Sequence, residues 1–194
     1  MTTPPLTRPS LLVRIRDAGD REAWRQFVEV YAPLVYKFAR RRGLQDADAA
    51  DLTQDVLQAV AGASKRLMYD PERGTFRAWL YTVARNKLRN FLLARQRRRE
   101  DGDPELLSEQ PAREEVEQWE REYEQRLFDW AAEQVRGHFH ESTWQAFWMT
   151  AAENRGAAET AAQLGISVGA VYIAKSRVLA RLREQIQQVT STEY

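Results

Sequence analysis

The stretch from Ala157 to Leu182, AAETAAQLGISVGAVYIAKSRVLARL, constrains this chain more than any other segment. It reads as two helices joined by a tight turn. Ala161 is small where two helices must approach closely. Gly165 follows four residues later, where the chain must leave the first helix with φ > 0. Ile166 plugs the turn, Ser167 is a good N-cap, and Val171 begins the inner stripe of the second helix. A small residue, a turn glycine and an inward β-branched residue at these offsets predict a helix-turn-helix, whose second helix enters the major groove of DNA. A plain helical hairpin is the alternative reading of this segment.

On a helical wheel the second helix divides cleanly. Val171, Ala174, Val178 and Leu182 face inward, whereas Gly169, Tyr172, Ile173, Ser176, Arg177 and Ala180 face outward. Arg177 suits a bidentate contact to guanine or an anchor on phosphate, and Ile173 suits a thymine methyl. Lys175 lies near the inner side and snorkels to phosphate. Single exposed isoleucines are also ordinary surface residues.

Bulk composition sets the frame for this motif. The 194 residues allow one ordinary domain or two small ones. Charged residues make up 29% of the chain and mean hydropathy is −0.63, so the surface is well solvated. No apolar run approaches a membrane span and no secretory signal precedes the first charged stretch, which predicts a soluble cytoplasmic protein without a membrane partner. There are no cysteines, which excludes disulfides and thiolate metal sites. The net charge of +1 hides a division. Residues 1–100 carry 20 basic and 11 acidic side chains, residues 101–136 carry 4 and 12, and residues 137–194 carry 5 of each. A basic front, an acidic middle and a neutral end point to modules with different partners.

The pattern along the chain is helical throughout. Met1–Pro9 is rich in Pro and Thr and reads as a disordered tail. A short helix over Ser10–Asp17 ends at Gly19-Asp20. Asp20 then caps a helix through Arg42, with Trp24, Phe27, Val28, Tyr31, Leu34, Val35 and Phe38 at helical spacing and Pro33 as a potential kink. Gly43 stops it. A third helix is expected over Ala47–Leu67. After the turn at Asp70–Gly74, Thr75 caps a fourth helix that extends into Arg95–Arg99. Glu100–Arg113, with Gly102, Pro104 and Pro111 among acids, reads as a linker. Glu114–Val135 is helical, with Val116, Trp119, Tyr123, Leu127 and Trp130 inward. Ser142 is expected to cap the next helix. The fold class is therefore all-α, with helical domains over 10–99 and 114–194 joined by an acidic linker over 100–113.

Two further blocks carry chemistry. In Asp51-Leu-Thr-Gln-Asp-Val-Leu57, Asp51, Gln54, Asp55 and Gln58 share a helix face, while Leu52, Val56 and Val60 face elsewhere. A narrow acidic-amide stripe suits a basic helical partner; a solvated face is the plain alternative. In Gly74-Thr-Phe-Arg-Ala-Trp-Leu-Tyr-Thr-Val-Ala-Arg-Asn-Lys-Leu-Arg-Asn90, Phe76, Leu80, Val83, Ala84 and Phe91 cluster on one side. Trp79, Thr82, Asn86 and Asn90 gather on an outward flank beside Arg85 and Arg89. An aromatic face, amides and cations together provide stacking, edge hydrogen bonds and phosphate contacts for an unpaired base. The alternative is that Trp79 packs on a neighbouring helix.

The order of these blocks resembles a bacterial RNA polymerase sigma factor of the extracytoplasmic-function (ECF) group, from about Asp20 to Glu184. DLTQDVL, DPERGTFRAWLYTVARN, a basic run, an acidic linker and a terminal helix-turn-helix ending SRVLARLRE follow that family's sequence. The resemblance implies a sigma-2-like domain followed by a sigma-4-like helix-turn-helix domain. It implies that Asp51, Leu52, Gln54, Asp55 and Gln58 grip the clamp helices of the polymerase largest subunit. Trp79, Thr82, Arg85, Asn86, Arg89 and Asn90 would melt the minus-ten element and capture its non-template strand, with Asn86 lining a pocket for a flipped base. Ser167, Gly169, Tyr172, Ile173, Ser176 and Arg177 would read the minus-thirty-five duplex. The linker would thread the RNA exit path, and the polymerase flap is a further expected contact. Departures from the pattern are Leu57, where the family often has an aromatic residue, Ala61, where Trp is common, and Ile173-Ala174, where many members carry a Ser-Arg pair.

The implied protein is a dissociable specificity subunit without catalytic chemistry, cofactor or metal. His138 and His140, with Glu141 adjacent, lack further ligands, and no P-loop, nucleophile elbow or catalytic carboxylate pair is apparent. With no cysteine-based sensor, control is expected from another protein, such as an anti-sigma factor or regulatory kinase, or from modification. Two other classes fit parts of the pattern. A one-component repressor would use only the helix-turn-helix, and a polymerase-binding scaffold would use only the Asp51–Asp55 face.

Overall fold

In the computed structural model, residues 11–64, 75–99 and 113–190 are described. The expected tail over 1–9, the turn at 70–74 and nearly all of the linker over 100–113 lie outside them, as does the expected end of the third helix beyond Ser64. Among the described residues every regular element is an α-helix: α1 Leu11–Arg14, α2 Arg21–Arg41, α3 Asp46–Ser64, α4 Phe76–Arg99, α5 Arg113–Arg136, α6 Glu141–Ala151, α7 Ala157–Leu164 and α8 Val168–Thr190. The chain divides into two compact units, Met1–Arg126 with Thr190–Tyr194, and Leu127–Val189. This division falls inside α5, not at the linker, so the first half of that helix belongs to the first unit.

Local chemistry sets the helix ends. The Asp20 carboxylate accepts the Ala23 N–H at 2.8 Å and caps α2. Arg14 donates to both oxygens of the same carboxylate at 2.9 and 3.0 Å, which ties α1 to the start of α2. The Arg14 hydrogen bond, with the Ala23 N–H, holds the Asp20 carboxyl below its usual pKa. The stability it lends is therefore present above the ordinary carboxylate range and is lost as the pH falls through the lowered value. At the other end of α2, Gly43 adopts φ +82° and the Leu44 N–H reaches back to the Ala39 carbonyl, closing the helix in a left-handed stop. Thr75 caps α4 through its hydroxyl, which accepts the Ala78 N–H at 3.2 Å.

In the first unit α2 packs on α1 and α3, and α3 packs on α4. Phe27, Tyr31, Leu34, Val35 and Phe38 of α2 are buried, as are Leu52, Val56 and Val60 of α3 and Phe76, Leu80, Ala84 and Leu88 of α4. Val28, expected in the same stripe, is 40% exposed: it lies at the margin of the apolar arc. The first half of α5 adds the aromatic closure. Trp119 meets Phe38 and Tyr81, each with ring centroids 5.6 Å apart, and Tyr123 stacks on Tyr31 at 5.8 Å. Acids of α5 pair with cations around this seam: Glu122 with Arg41 at 2.8 Å, Glu115 with Arg42 at 3.0 Å and Glu120 with Arg77 at 3.2 Å.

Pro33 explains one of these contacts. Proline has no N–H, so α2 cannot form the bond that residue 33 would otherwise make to the carbonyl of Glu29, four residues back. Arg126 of α5 donates to that carbonyl from two guanidinium nitrogens, at 2.8 and 3.3 Å. The expected break at Pro33 is thus absorbed: α2 runs unbroken from Arg21 to Arg41 and the freed acceptor is satisfied by another helix.

The second unit contains the second half of α5, with Trp130 and Val135 buried, followed by α6, α7 and α8. The N-cap of α6 is His140, not Ser142. Ser142 sits one residue inside the helix, where its hydroxyl lies 3.0 Å from His140 Nδ1, because the chain turns helical at Glu141.

Replacing Arg126 by Ala leaves a partly buried carbonyl without this donor and is expected to cost about 1–3 kcal/mol of unfolding free energy. In a Pro33→Ala background the helix supplies its own N–H, so the cost should shrink by at least about 0.5 kcal/mol. Denaturant unfolding of the four proteins in the cycle measures this coupling, and strictly additive effects would contradict the proline account.

Candidate functional site

Three exposed faces carry the residues singled out in the sequence. On α3, burial of Leu52, Val56 and Val60 against the core turns Asp51, Gln54, Asp55 and Gln58 to solvent, and all four are exposed. Leu52, named with them by the sequence resemblance, is only 2% exposed, and its apolar side chain supports the face from beneath. Asp55 lies 3.9 Å from Lys87 of α4, a long and solvated pair. Beside this face runs an apolar groove of about 620 Å³ between α2 and α3. Val28, Pro33 and Tyr36 form one wall, and Thr53, Gln54 and Leu57 form the other. The sequence reading missed this groove. Its signals were Val28 and Leu57, apolar residues at the margins of the stripes that α2 and α3 bury.

On α4 the buried side, Phe76, Leu80, Ala84 and Leu88, fixes the rotation of the helix. The opposite flank brings together Thr82, Asn86, Arg89 and Asn90, all exposed, as expected from the wheel. Thr82 donates its hydroxyl to the Ala78 carbonyl at 2.9 Å. Trp79 is half-buried and packs on Phe76 of its own helix, with ring centroids 5.4 Å apart, which leaves part of the indole available. Arg85 is half-buried and so stands less far out than Arg89. Arg95, further along, reaches Asp48 of α3 at 3.3 Å and braces the two helices.

The third face belongs to α7 and α8. Gly165 has φ +65°, and the N–H of Ile166 bonds back to the Ala161 carbonyl at 3.0 Å, so the glycine ends α7 in the way its spacing predicts. Ser167 then caps α8, accepting the Ala170 N–H at 3.1 Å. Ala146, Ala161, Val171 and Ala174 form the small-residue core where α6, α7 and α8 meet, with Ala157, Leu164 and Ile166 at its edge. Val178 and Leu182 continue the buried stripe. Ser167, Gly169, Tyr172, Ile173, Ser176 and Arg177 are all exposed, and Lys175 is half-buried. Among the described residues, no group of three or more His, Asp or Glu side chains is placed to hold a metal ion, and no helix is long and apolar enough to cross a membrane.

Residues 27–98, which take in most of α2 and all of α3, match the sigma-70 region 2 family and run to the penultimate residue of α4. This stretch is a sigma-70 region 2 domain. The groove, the α3 face and the α4 flank all lie within region 2. The chain has homologues among ECF sigma factors. It is 32% identical over 78 residues to the ECF RNA polymerase sigma factor RpoE of Cereibacter sphaeroides, a match that spans 40% of this chain and 42% of that protein. It is 28% identical over 191 residues to the RNA polymerase sigma factor NccH of Alcaligenes xylosoxydans xylosoxydans, spanning 94% of this chain and 98% of NccH. A solved structure of CnrH in complex with the cytosolic domain of CnrY aligns over 91% of this chain and 96% of its own, at 25% identity and a TM-score of 0.36.

Proposed function

We propose that the chain is a promoter-specificity subunit that docks on core RNA polymerase, captures the melted minus-ten strand and reads the minus-thirty-five duplex. The observation that carries this reading is the region 2 match lying over a geometry suited to the task. An exposed acidic-amide face on α3 borders an apolar groove, and an exposed amide-and-cation flank lies on α4 of the same domain. The names of RpoE and NccH, both RNA polymerase sigma factors, support it.

Each face suits a different partner. The groove and its rim match an amphipathic helix with an apolar stripe and basic flanks, the chemistry required of the polymerase clamp helices. Asp51 and Asp55 supply charge attraction, Gln54 and Gln58 supply hydrogen bonds, and the groove supplies the apolar contact. On α4, Trp79 offers a partly exposed ring for stacking. Asn86 and Asn90 offer amide groups to a base edge, and Arg89 offers charge to the backbone. The two carboxylates and the four amides all lie on helices, so binding orders little chain. The helix-turn-helix over Ala157–Leu182 presents α8 to the major groove, with the unit over 127–189 as the upstream-reading part and the unit that holds α1 to α4 and the first half of α5 as the polymerase and minus-ten part.

Docking is tested by Asp51→Arg combined with Asp55→Arg. Both side chains are exposed, and the long Asp55–Lys87 pair contributes little, so the double variant is expected to keep its helical content and unfolding midpoint. It should no longer co-elute with core RNA polymerase. Unchanged co-elution of the folded variant would overturn the docking assignment.

Strand capture is tested by Asn86→Ala. Loss of a base contact on such a platform costs about 1–3 kcal/mol. Permanganate footprinting at matched promoter occupancy should therefore show weaker thymine reactivity in the bubble than for the unaltered chain. Equal reactivity would remove Asn86 from this role.

A further inference from the structure

Tyr172 and Ile173 are the two most exposed large apolar side chains among the described residues, at 62% and 60%. They are adjacent, in the second turn of α8, on the side opposite the buried Val171, Ala174 and Val178. A solvated helix position is served by Glu, Lys, Gln or Ala at lower cost than by a β-branched or aromatic residue. Two such residues side by side on one exposed face therefore call for a surface that covers them. Gly169, one turn earlier on the same face, has no side chain, and a Cβ placed there would meet only the Ser167 hydroxyl, at 3.9 Å. That leaves room for a close approach along this edge of the helix. The nearby cations are Lys175, half-buried, and Arg177, exposed.

The surrounding turn decides what the covering surface is. The left-handed stop at Gly165 and the Ser167 cap set α8 behind α7 as the second helix of a helix-turn-helix, the element that enters the major groove. In that groove the thymine 5-methyl is the apolar group that a base edge displays. We propose that Tyr172 and Ile173 read thymine methyl groups of the upstream duplex, so that base preference in α8 rests on apolar contact at these two positions. This deepens the promoter-reading function above and rests on it. Ile173 supplies a branched aliphatic surface for one methyl. The Tyr172 ring supplies a flat apolar face for a neighbouring one, with its hydroxyl left in the wet groove.

Replacing thymine by deoxyuridine removes the methyl and keeps every hydrogen-bonding group, which gives a direct test. Upstream elements are selected from a randomised pool by the full chain bound to core RNA polymerase, then resynthesised with uracil at single thymine positions. The unaltered chain is expected to bind about four-fold less tightly for each contacted methyl removed, the equivalent of one buried methyl group. Ile173→Ala should bind the thymine and uracil forms equally at one position, and Tyr172→Ala should do so at another. Arg177→Ala should keep the full sensitivity to uracil. Both apolar positions are exposed, so neither variant threatens the fold. A selected element that the unaltered chain binds equally with thymine or uracil overturns the proposal alone. A pool that returns no upstream preference overturns the promoter-reading function and this proposal with it.

Discussion

Burial of Trp119 and Tyr123 against the rings of α2 and α4 is the contact on which the first unit depends. Phe38, Tyr81 and Tyr31 each place a ring toward α5, and without it these surfaces would face water. The seam is also electrostatically matched. Glu115, Glu120 and Glu122 come from the acidic middle of the chain, and Arg41, Arg42 and Arg77 come from its basic front. The charge division seen in the sequence is thus partly an internal complementarity. Glu122 shows its cost and its compensation: it is only 6% exposed, yet Arg41, Lys37 and Gln118 all approach its carboxylate.

Once α2, α3 and α4 are locked in rotation by this core, their outer faces are fixed as well. The chain needs no loop to build its candidate surfaces, because each lies on a helix whose far side is buried. Asp51 and Gln54 stand out because Leu52 and Val56 are held in. Asn86 stands out because Ala84 and Leu88 are held in. Rigid presentation of polar groups lowers the ordering cost of binding.

Much of this was legible in the sequence because it depends on local periodicity. The Gly165 stop, the Ser167, Asp20 and Thr75 caps, and the inward stripe of α8 are set by residues within one or two turns of each other. What periodicity could not show is non-local. Nothing near Glu29 announces that Arg126, 97 residues away, will satisfy its carbonyl. Nothing near Trp119 states that the first half of α5 joins the N-terminal helices. The apolar groove was hidden for a related reason: a wheel gives the centre of a buried arc but not its margins, so Val28 was assigned inward although it lines an open groove. Ser142 shows a smaller failure of the same kind. A good capping residue two positions after the actual N-cap is passed over when the preceding backbone turns first.

The proposed function joins polymerase docking and promoter choice in one chain, through faces held on packed helices. Run-off transcription with purified core RNA polymerase, on fragments of the genome that encodes the chain, tests it most directly. Transcripts are expected from discrete start sites that require the chain and are absent with core polymerase alone. Identical transcript patterns with and without the chain, under conditions where it is folded, would contradict it.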